Sequence, residues 1–162
     1  MSIEIGQSLP QATLSVVDGS GDIQPANTSE LFADRKVVMF AVPGAFTPTC
    51  SEQHLPGYVN QFDAFQKLGV EVYCLAVNDA FVMQAWAASQ HVPAGFKMLA
   101  DGNGGFTKAL GLELDGSAYG LGLRSKRFAV YTEGGVVKQL HVEAPGELRT
   151  SSAEAMLAAL SN

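Results

Sequence analysis

Two stretches of this chain are apolar without alternation, and that pattern predicts strands buried on both faces. The first is Val37-Val-Met-Phe-Ala-Val42, which stops at Pro43-Gly44; the second is Val70-Glu-Val-Tyr-Cys-Leu-Ala-Val77. Between them, Leu55, Tyr58, Val59, Phe62 and Phe65 recur at spacings of three and four. That is one apolar stripe on a helix running to about Lys67. Pro56-Gly57 lies inside it, and proline removes a backbone donor and clashes one turn back, so a kink is expected there. Phe81, Val82, Ala85 and Trp86 form the next helical pattern, with Asn78 or Asp79 available to cap it. Toward the N-terminus, Ile3–Gly6 and Ala12–Val17 read as short strands, set off by Pro10 and the turn cluster Asp18-Gly-Ser-Gly. Thr28–Phe32 has room for one helical turn. Phe96–Leu99 reads as a short strand, and a helix is expected around Phe106–Leu110. Arg127–Thr132 and Val136–Val142 flank Glu133-Gly134-Gly135, a hairpin pattern. Ser151-Ser-Ala-Glu154 has capping-box spacing and opens a C-terminal helix.

The order is strand–helix–strand–helix, then hairpin, then helix. A crossover through a helix makes the two buried strands parallel, and the hairpin adds antiparallel ones. The expected fold is α/β: a mixed central sheet, helices on both faces and an N-terminal β-hairpin extension. The thioredoxin-like arrangement has this order. With 162 residues and no repeat or linker-like stretch, residues 1–162 read as a single domain.

Composition narrows the function classes. Ten Lys and Arg against sixteen Asp and Glu give a net charge of −6, which disfavours nucleic-acid or anionic-membrane binding through basic clusters. The best apolar run, Val37–Phe46, is about half of the ~20 residues a membrane span needs. Met1-Ser-Ile-Glu-Ile-Gly6 lacks the basic and apolar regions of a signal peptide. Two cysteines, Cys50 and Cys74, make no disulfide framework, so a reducing, cytoplasmic setting is expected.

Cys50 carries the candidate chemistry. It follows Pro43-Gly-Ala-Phe-Thr-Pro-Thr at the expected start of the helix after the first buried strand. First-turn N–H groups lack intrahelical partners and the dipole is positive there, so both favour thiolate, the nucleophilic form. Thr47 is near enough in sequence to bring a hydroxyl close to the sulfur. On spacing alone, a small buried thiol fits the position as well. Cys50-x-x-x-His54 has helical ligand spacing, but a zinc site needs further ligands; His54 is expected to order the backbone of the turn. His91 and His141 stand alone. The chain has no C-x-x-C, G-x-S-x-G, P-loop or G-x-G-x-x-G pattern.

The segment Pro43-Gly-Ala-Phe-Thr-Pro-Thr-Cys50-Ser-Glu-Gln-His-Leu-Pro-Gly-Tyr58 resembles the active-site segment of peroxiredoxins. Its His-Leu-Pro-Gly continuation is similar to the type II, peroxiredoxin-5-like subfamily. Val77-Asn-Asp-Ala-Phe-Val82, Trp86, Leu99-Ala-Asp101 and Leu123-Arg-Ser-Lys-Arg-Phe-Ala129 extend the resemblance over nearly the whole chain. It implies a thioredoxin-like fold and thiol-dependent reduction of hydrogen peroxide and alkyl hydroperoxides, with no metal or organic cofactor. Glutathione with glutaredoxin, or thioredoxin, would be the reductant, and a homodimer is implied. Position by position, it implies Cys50 as peroxidatic cysteine, Thr47 as its hydroxyl partner, Pro43 as the shield of the thiolate and Arg127 as the guanidinium beside it. Arg124 is the competing arginine. A thiol redox sensor, relaying oxidation to a partner protein, is the alternative function.

Those roles make chemical sense. Sulfur must meet one peroxide oxygen in line with the O–O bond while the other gathers charge, and fixed donors stabilise that charge better than mobile water. Arginine suits because it stays charged and offers a rigid fork of N–H groups. Cys74 is the open question. It lies inside an apolar strand, as an inert core thiol would, yet some type II members have a resolving cysteine here. A disulfide needs Cα atoms roughly 4.4–6.8 Å apart, so the first helical turn would have to unwind. The tail Glu147–Ser152 contains no cysteine.

Overall fold

The computed structural model describes residues 2–161. Strands β1 (Thr13–Val17) and β2 (Ile23–Asn27) form a hairpin, followed by the short helix α1 (Thr28–Phe32). Strand β3 (Lys36–Val42) leads through the Pro43–Thr49 loop into a π-helical turn, Cys50–His54, and then helices α2 (Leu55–Asn60) and α3 (Phe62–Lys67). Next come β4 (Val70–Ala76), α4 (Ala80–Ser89), β5 (Lys97–Ala100) and α5 (Gly105–Leu110). A small ribbon, β6 (Glu113–Asp115) with β7 (Leu123–Ser125), precedes β8 (Phe128–Glu133), β9 (Val136–Val142) and α6 (Ala153–Leu160).

Seven strands make one mixed sheet in the order β2-β1-β5-β4-β3-β8-β9. β3 and β4 are central, as their apolar runs imply, and parallel, as the helical crossover between them requires; β8 flanks β3 antiparallel. Alternate residues then feed two cores. Val38, Phe40, Val42, Val72, Cys74 and Ala76 pack under α2, α3, α4 and α6. Val37, Met39, Ala41, Tyr73 and Leu75 face α1 and α5. Among the described residues no helix is long and apolar enough to cross a membrane.

Several expectations shift. Ile3–Gly6 forms no strand; the N-terminal hairpin instead joins Thr13–Val17 to Ile23-Gln-Pro-Ala-Asn27. Pro25 disguised this partner strand, and proline is tolerated because β2 lies at the sheet edge. The C-terminal helix is capped by Ser152, whose hydroxyl accepts from the Ala155 N–H, one residue later than the capping-box spacing suggested. Ser151 is buried and differently engaged. Asp79 caps α4 by accepting from Val82 N–H at 2.9 Å, which leaves Asn78 for another task. The expected kink at Pro56 appears as the wide π turn just before it, and a second break at Gln61 separates α2 from α3.

Candidate active site

β3 ends at Val42, and the loop after it is held from three sides. Ala45 N–H donates to Asn78 Oδ1 at 2.9 Å, tying the loop to the end of β4. Thr47 Oγ1 donates to the Gly44 carbonyl at 2.6 Å, and Arg124 Nη1 reaches the Pro43 carbonyl at 3.4 Å. Glycine at position 44 leaves room for the arginine tip: a Cβ there would fall 2.6 Å from Arg124 Nη1 and 3.2 Å from Thr47 Cγ2, so a larger residue would displace the guanidinium. Phe46 takes a left-handed φ of 65° and is 55% exposed, a backbone cost often found at functional loops. The helical chain then starts at Pro48, where a missing N–H is tolerated, and Ser51 N–H bonds back to the Thr47 carbonyl at 3.0 Å.

The turn widens at Cys50. Leu55 N–H bonds the Cys50 carbonyl, five residues back, where an α-helix would reach four. Pro56 follows and has no N–H to offer a regular ladder. Cys50 and His54, the two ends of this π turn, both meet Arg127. Its Nη2 donates to Cys50 Sγ at 3.2 Å, and its Nη1 lies 2.9 Å from His54 Nδ1.

A guanidinium only donates, so Nδ1 accepts and the ring proton sits on Nε2. Nε2–H donates to the Ser151 carbonyl at 3.0 Å, which also receives the Tyr58 hydroxyl at 2.7 Å. Ser151 Oγ donates to Glu143 Oε2 at 2.6 Å; that carboxylate also accepts the N–H groups of Ser151 and Arg149. Burial pushes the His54 pKa down to about 3; the Ser151 carbonyl opposes the shift and the Arg127 charge adds to it. The imidazole is therefore neutral at ordinary pH. Phe40 of β3 stacks on Tyr58 (ring centroids 4.0 Å, planes within 2°) and packs against His54 at 4.9 Å. Trp86 Nε1 donates to Ser51 Oγ at 3.0 Å, fixing the other flank of the turn to α4.

Of the residues singled out from sequence, the structure joins Cys50 directly to Arg127. Arg124 braces the loop, donating to the Leu121 and Pro43 carbonyls. Thr47 donates its only hydroxyl proton to Gly44, so toward a substrate it is an acceptor. Pro43 is half-buried and enters the site's bonding through its carbonyl. Cys74 pairs in register with Phe40 and Met98 on the core face that also holds Cys50. Burial pushes its thiol well up; the nearby Cys50 adds to this and Arg127 opposes it. His54 exceeds its expected role, and Ser151 and Glu143 join a site the sequence did not assign them to. The four-residue spacing from Cys50 to His54 was the only local signal. His141 interacts with Gln139 at 3.3 Å, and His91, exposed at the end of α4, has a φ of 54°.

The sequence profile of the Redoxin family matches residues 4–157. The chain is 46% identical to peroxiredoxin-2C of Oryza sativa, an alignment that covers 98% of each protein. It is 48% identical to the chloroplastic peroxiredoxin-2E of Arabidopsis thaliana, covering 98% of this chain and 70% of that one. Among solved structures, reduced Prx3 of Vibrio vulnificus in complex with hydrogen peroxide superposes with a TM-score of 0.92 at 52% identity, covering 99% of this chain and 97% of that one. The oxidized form of the same protein gives 0.86, covering 97% and 99%. A family match over residues 4–157, close relatives and a thioredoxin-like peroxiredoxin fold agree: the chain belongs to the peroxiredoxins, type II in kind, and is a thiol peroxidase.

Proposed function

We propose that Cys50 is the peroxidatic residue, with hydrogen peroxide and alkyl hydroperoxides as substrates. The Cys50 thiolate attacks the hydroxyl oxygen of ROOH. An S–O bond forms, the O–O bond breaks, and its electron pair leaves on the RO oxygen. The attacked OH stays on sulfur as sulfenic acid, and the leaving oxygen takes up the proton the thiol had released. Arg127 supplies fixed positive charge and N–H donors at that developing anion. The Thr47 hydroxyl oxygen accepts the peroxide O–H and so orients the substrate, and Pro43 shields the thiolate. The observation that carries this reading is the Arg127 Nη2–Cys50 Sγ contact of 3.2 Å at a helix start.

Regeneration by an external thiol completes the cycle. One thiol condenses with the sulfenic acid, releasing water and leaving a mixed disulfide; a second thiol frees Cys50 and departs in the external disulfide. Glutathione with glutaredoxin is the proposed donor, and thioredoxin the alternative. Exposed Phe46, in the loop that leads to the nucleophile, supports a homodimer contact on this face, and the two free thiols suit a reducing, cytosolic compartment.

Peroxide consumption under excess glutathione and glutaredoxin, or excess dithiothreitol, tests the reading. Many equivalents consumed per chain are expected. Consumption that stops after one equivalent would instead describe a redox sensor.

A further inference from the structure

The guanidinium beside Cys50 has an unusual set of neighbours. Arg127 forms no salt bridge among the described residues. Its Nη1 is received by a neutral imidazole, and only then, two hydrogen bonds further on, does the carboxylate of Glu143 appear. A carboxylate directly on Arg127 would orient it bidentately and also cancel most of its field at the sulfur. A neutral acceptor fixes the fork and leaves the charge for the sulfur and the peroxide.

From this geometry we infer that His54 is a positioning residue for peroxide reduction: its Nδ1 holds the Arg127 fork against Cys50 without neutralising it, and the Glu143–Ser151 segment holds His54. The inference rests on the reading of Arg127 as the charge partner of the reacting sulfur. Every link is over-determined. The imidazole is 1% exposed and lies against Phe40, so it has no room to rotate freely. Its Nε2–H has the Ser151 carbonyl at 3.0 Å, with Ser151 Oγ at 3.5 Å as a weaker second acceptor. Ser151 cannot drift, because Glu143 Oε2 takes both its N–H (2.7 Å) and its hydroxyl (2.6 Å). Burial, which disfavours the imidazolium, and the adjacent Arg127 charge keep the acceptor lone pair free. The C-terminal segment that docks α6 is thereby part of the apparatus that aims the arginine.

The test uses the full-length reduced protein, with the peroxide rate constant read at its high-pH plateau and Cys50 alkylation by iodoacetamide as control. His54→Phe preserves an aromatic ring but offers no acceptor. It should slow peroxide reduction tenfold or more, while alkylation, which needs no aimed donor, changes less than threefold. His54→Asn, whose amide oxygen can replace Nδ1, should recover to within about threefold of wild type. In the pair His54→Phe with Arg127→Met, the loss should equal that of Arg127→Met alone, since a residue acting through Arg127 has nothing left to aim. A peroxide rate within twofold of wild type for His54→Phe, with Arg127→Met strongly impaired, overturns the inference and leaves the active-site reading intact, as do losses that multiply in the double variant. A silent Arg127→Met overturns the reading itself. If His54→Phe does not fold, nitrogen-15 NMR of the wild-type imidazole decides. A neutral ring protonated on Nε2 from pH 5 to 8 supports the inference. A proton on Nδ1, which would set two donors face to face, overturns it.

Discussion

Cys50 and Cys74 share one core, both wholly buried, on the same face of the sheet. Their surroundings differ in every other respect. Cys74 sits in the middle of β4, its backbone committed to ladders with β3 and β5 and its side chain among apolar groups. Burial there raises the thiol's pKa, and among the described residues no group donates a hydrogen bond to the sulfur. Cys50 begins a helix, on a π turn, with a guanidinium nitrogen at 3.2 Å. Exposure does not separate the two. What separates them is the guanidinium contact and the place at the start of a helical turn, neither of which the strand interior gives Cys74.

Removing the nucleophile gives the largest effect. Cys50→Ser is nearly isosteric, but its hydroxyl stays protonated near neutral pH, so peroxide consumption should vanish while circular dichroism keeps the native spectrum. Residual turnover within tenfold of wild type would make the two sulfurs interchangeable and end the comparison. Next come the groups that distinguish the Cys50 site. Arg127→Met should lower the second-order rate by ~10²-fold or more, the scale of losing one fixed donor at a developing charge; Thr47→Val, which loses the acceptor that orients the peroxide and the loop bond to Gly44, should lower it as well. Arg124→Met removes only bonds to the Leu121 and Pro43 carbonyls. A smaller loss is expected there, and stopped-flow rates that reverse the order of the two arginines would move the charge partner.

The contrast between the cysteines was partly legible in sequence because local signals carry it. Continuous apolar runs placed β3 and β4, and Pro43-Gly44 marked where the strand gives way to the loop. The rest depends on distance. His54 meets Ser151 across 97 residues and Arg127 across 73, separations that no helical or strand period can encode. Arg127 could be preferred over Arg124 only through the resemblance, since the two are three residues apart in one loop-to-strand segment. The edge strand β2 was missed because Pro25 argues against a strand until the edge position is known. Ser151 looked like a cap by spacing, and tertiary demand on its side chain moved the cap to Ser152.

A pH titration of stability sharpens the same contrast from the supporting side. His54 is held neutral, with its pKa lowered from 6.5 to about 3. Between those values the unfolded chain binds a proton that the folded one refuses. Stability is therefore full above pH 6.5 and falls as the pH drops, by up to about 1.4 kcal/mol per pH unit from this group alone. Glu143, whose carboxyl lies below its usual value despite burial because Ser151 and Arg149 donate to it, adds a loss in the same direction below about pH 4.5. Urea unfolding at pH 7, 6, 5 and 4 should show this slope in wild type and a flatter one in a folded His54→Phe. Equal slopes would mean that His54 titrates normally and is not locked.

The smallest effect is expected at Cys74. If it only fills the core, Cys74→Ser should keep Cys50 chemistry and turnover with glutathione and glutaredoxin, at a modest cost in stability from a polar group in an apolar site. The geometry argues against a resolving role on energetic grounds. Cys74 is paired on both sides within the sheet, so a disulfide would require the Cys50 turn to come to it. That turn would have to surrender Arg127, the Ser151 carbonyl bonds of His54 and Tyr58, and the Trp86–Ser51 contact. An external thiol needs less of this opening. High effective concentration weighs the other way, since an internal partner needs no encounter once the turn is open. Intact mass after one equivalent of peroxide, without other thiols, decides between them. A gain of about 16 Da, advancing to sulfinic acid with more peroxide, is expected for a lone Cys50 sulfenic acid. A loss of about 2 Da with no free thiol would show that the two sulfurs had joined. Failure of Cys74→Ser with glutaredoxin, thioredoxin and dithiothreitol alike would then make Cys74 the resolving residue.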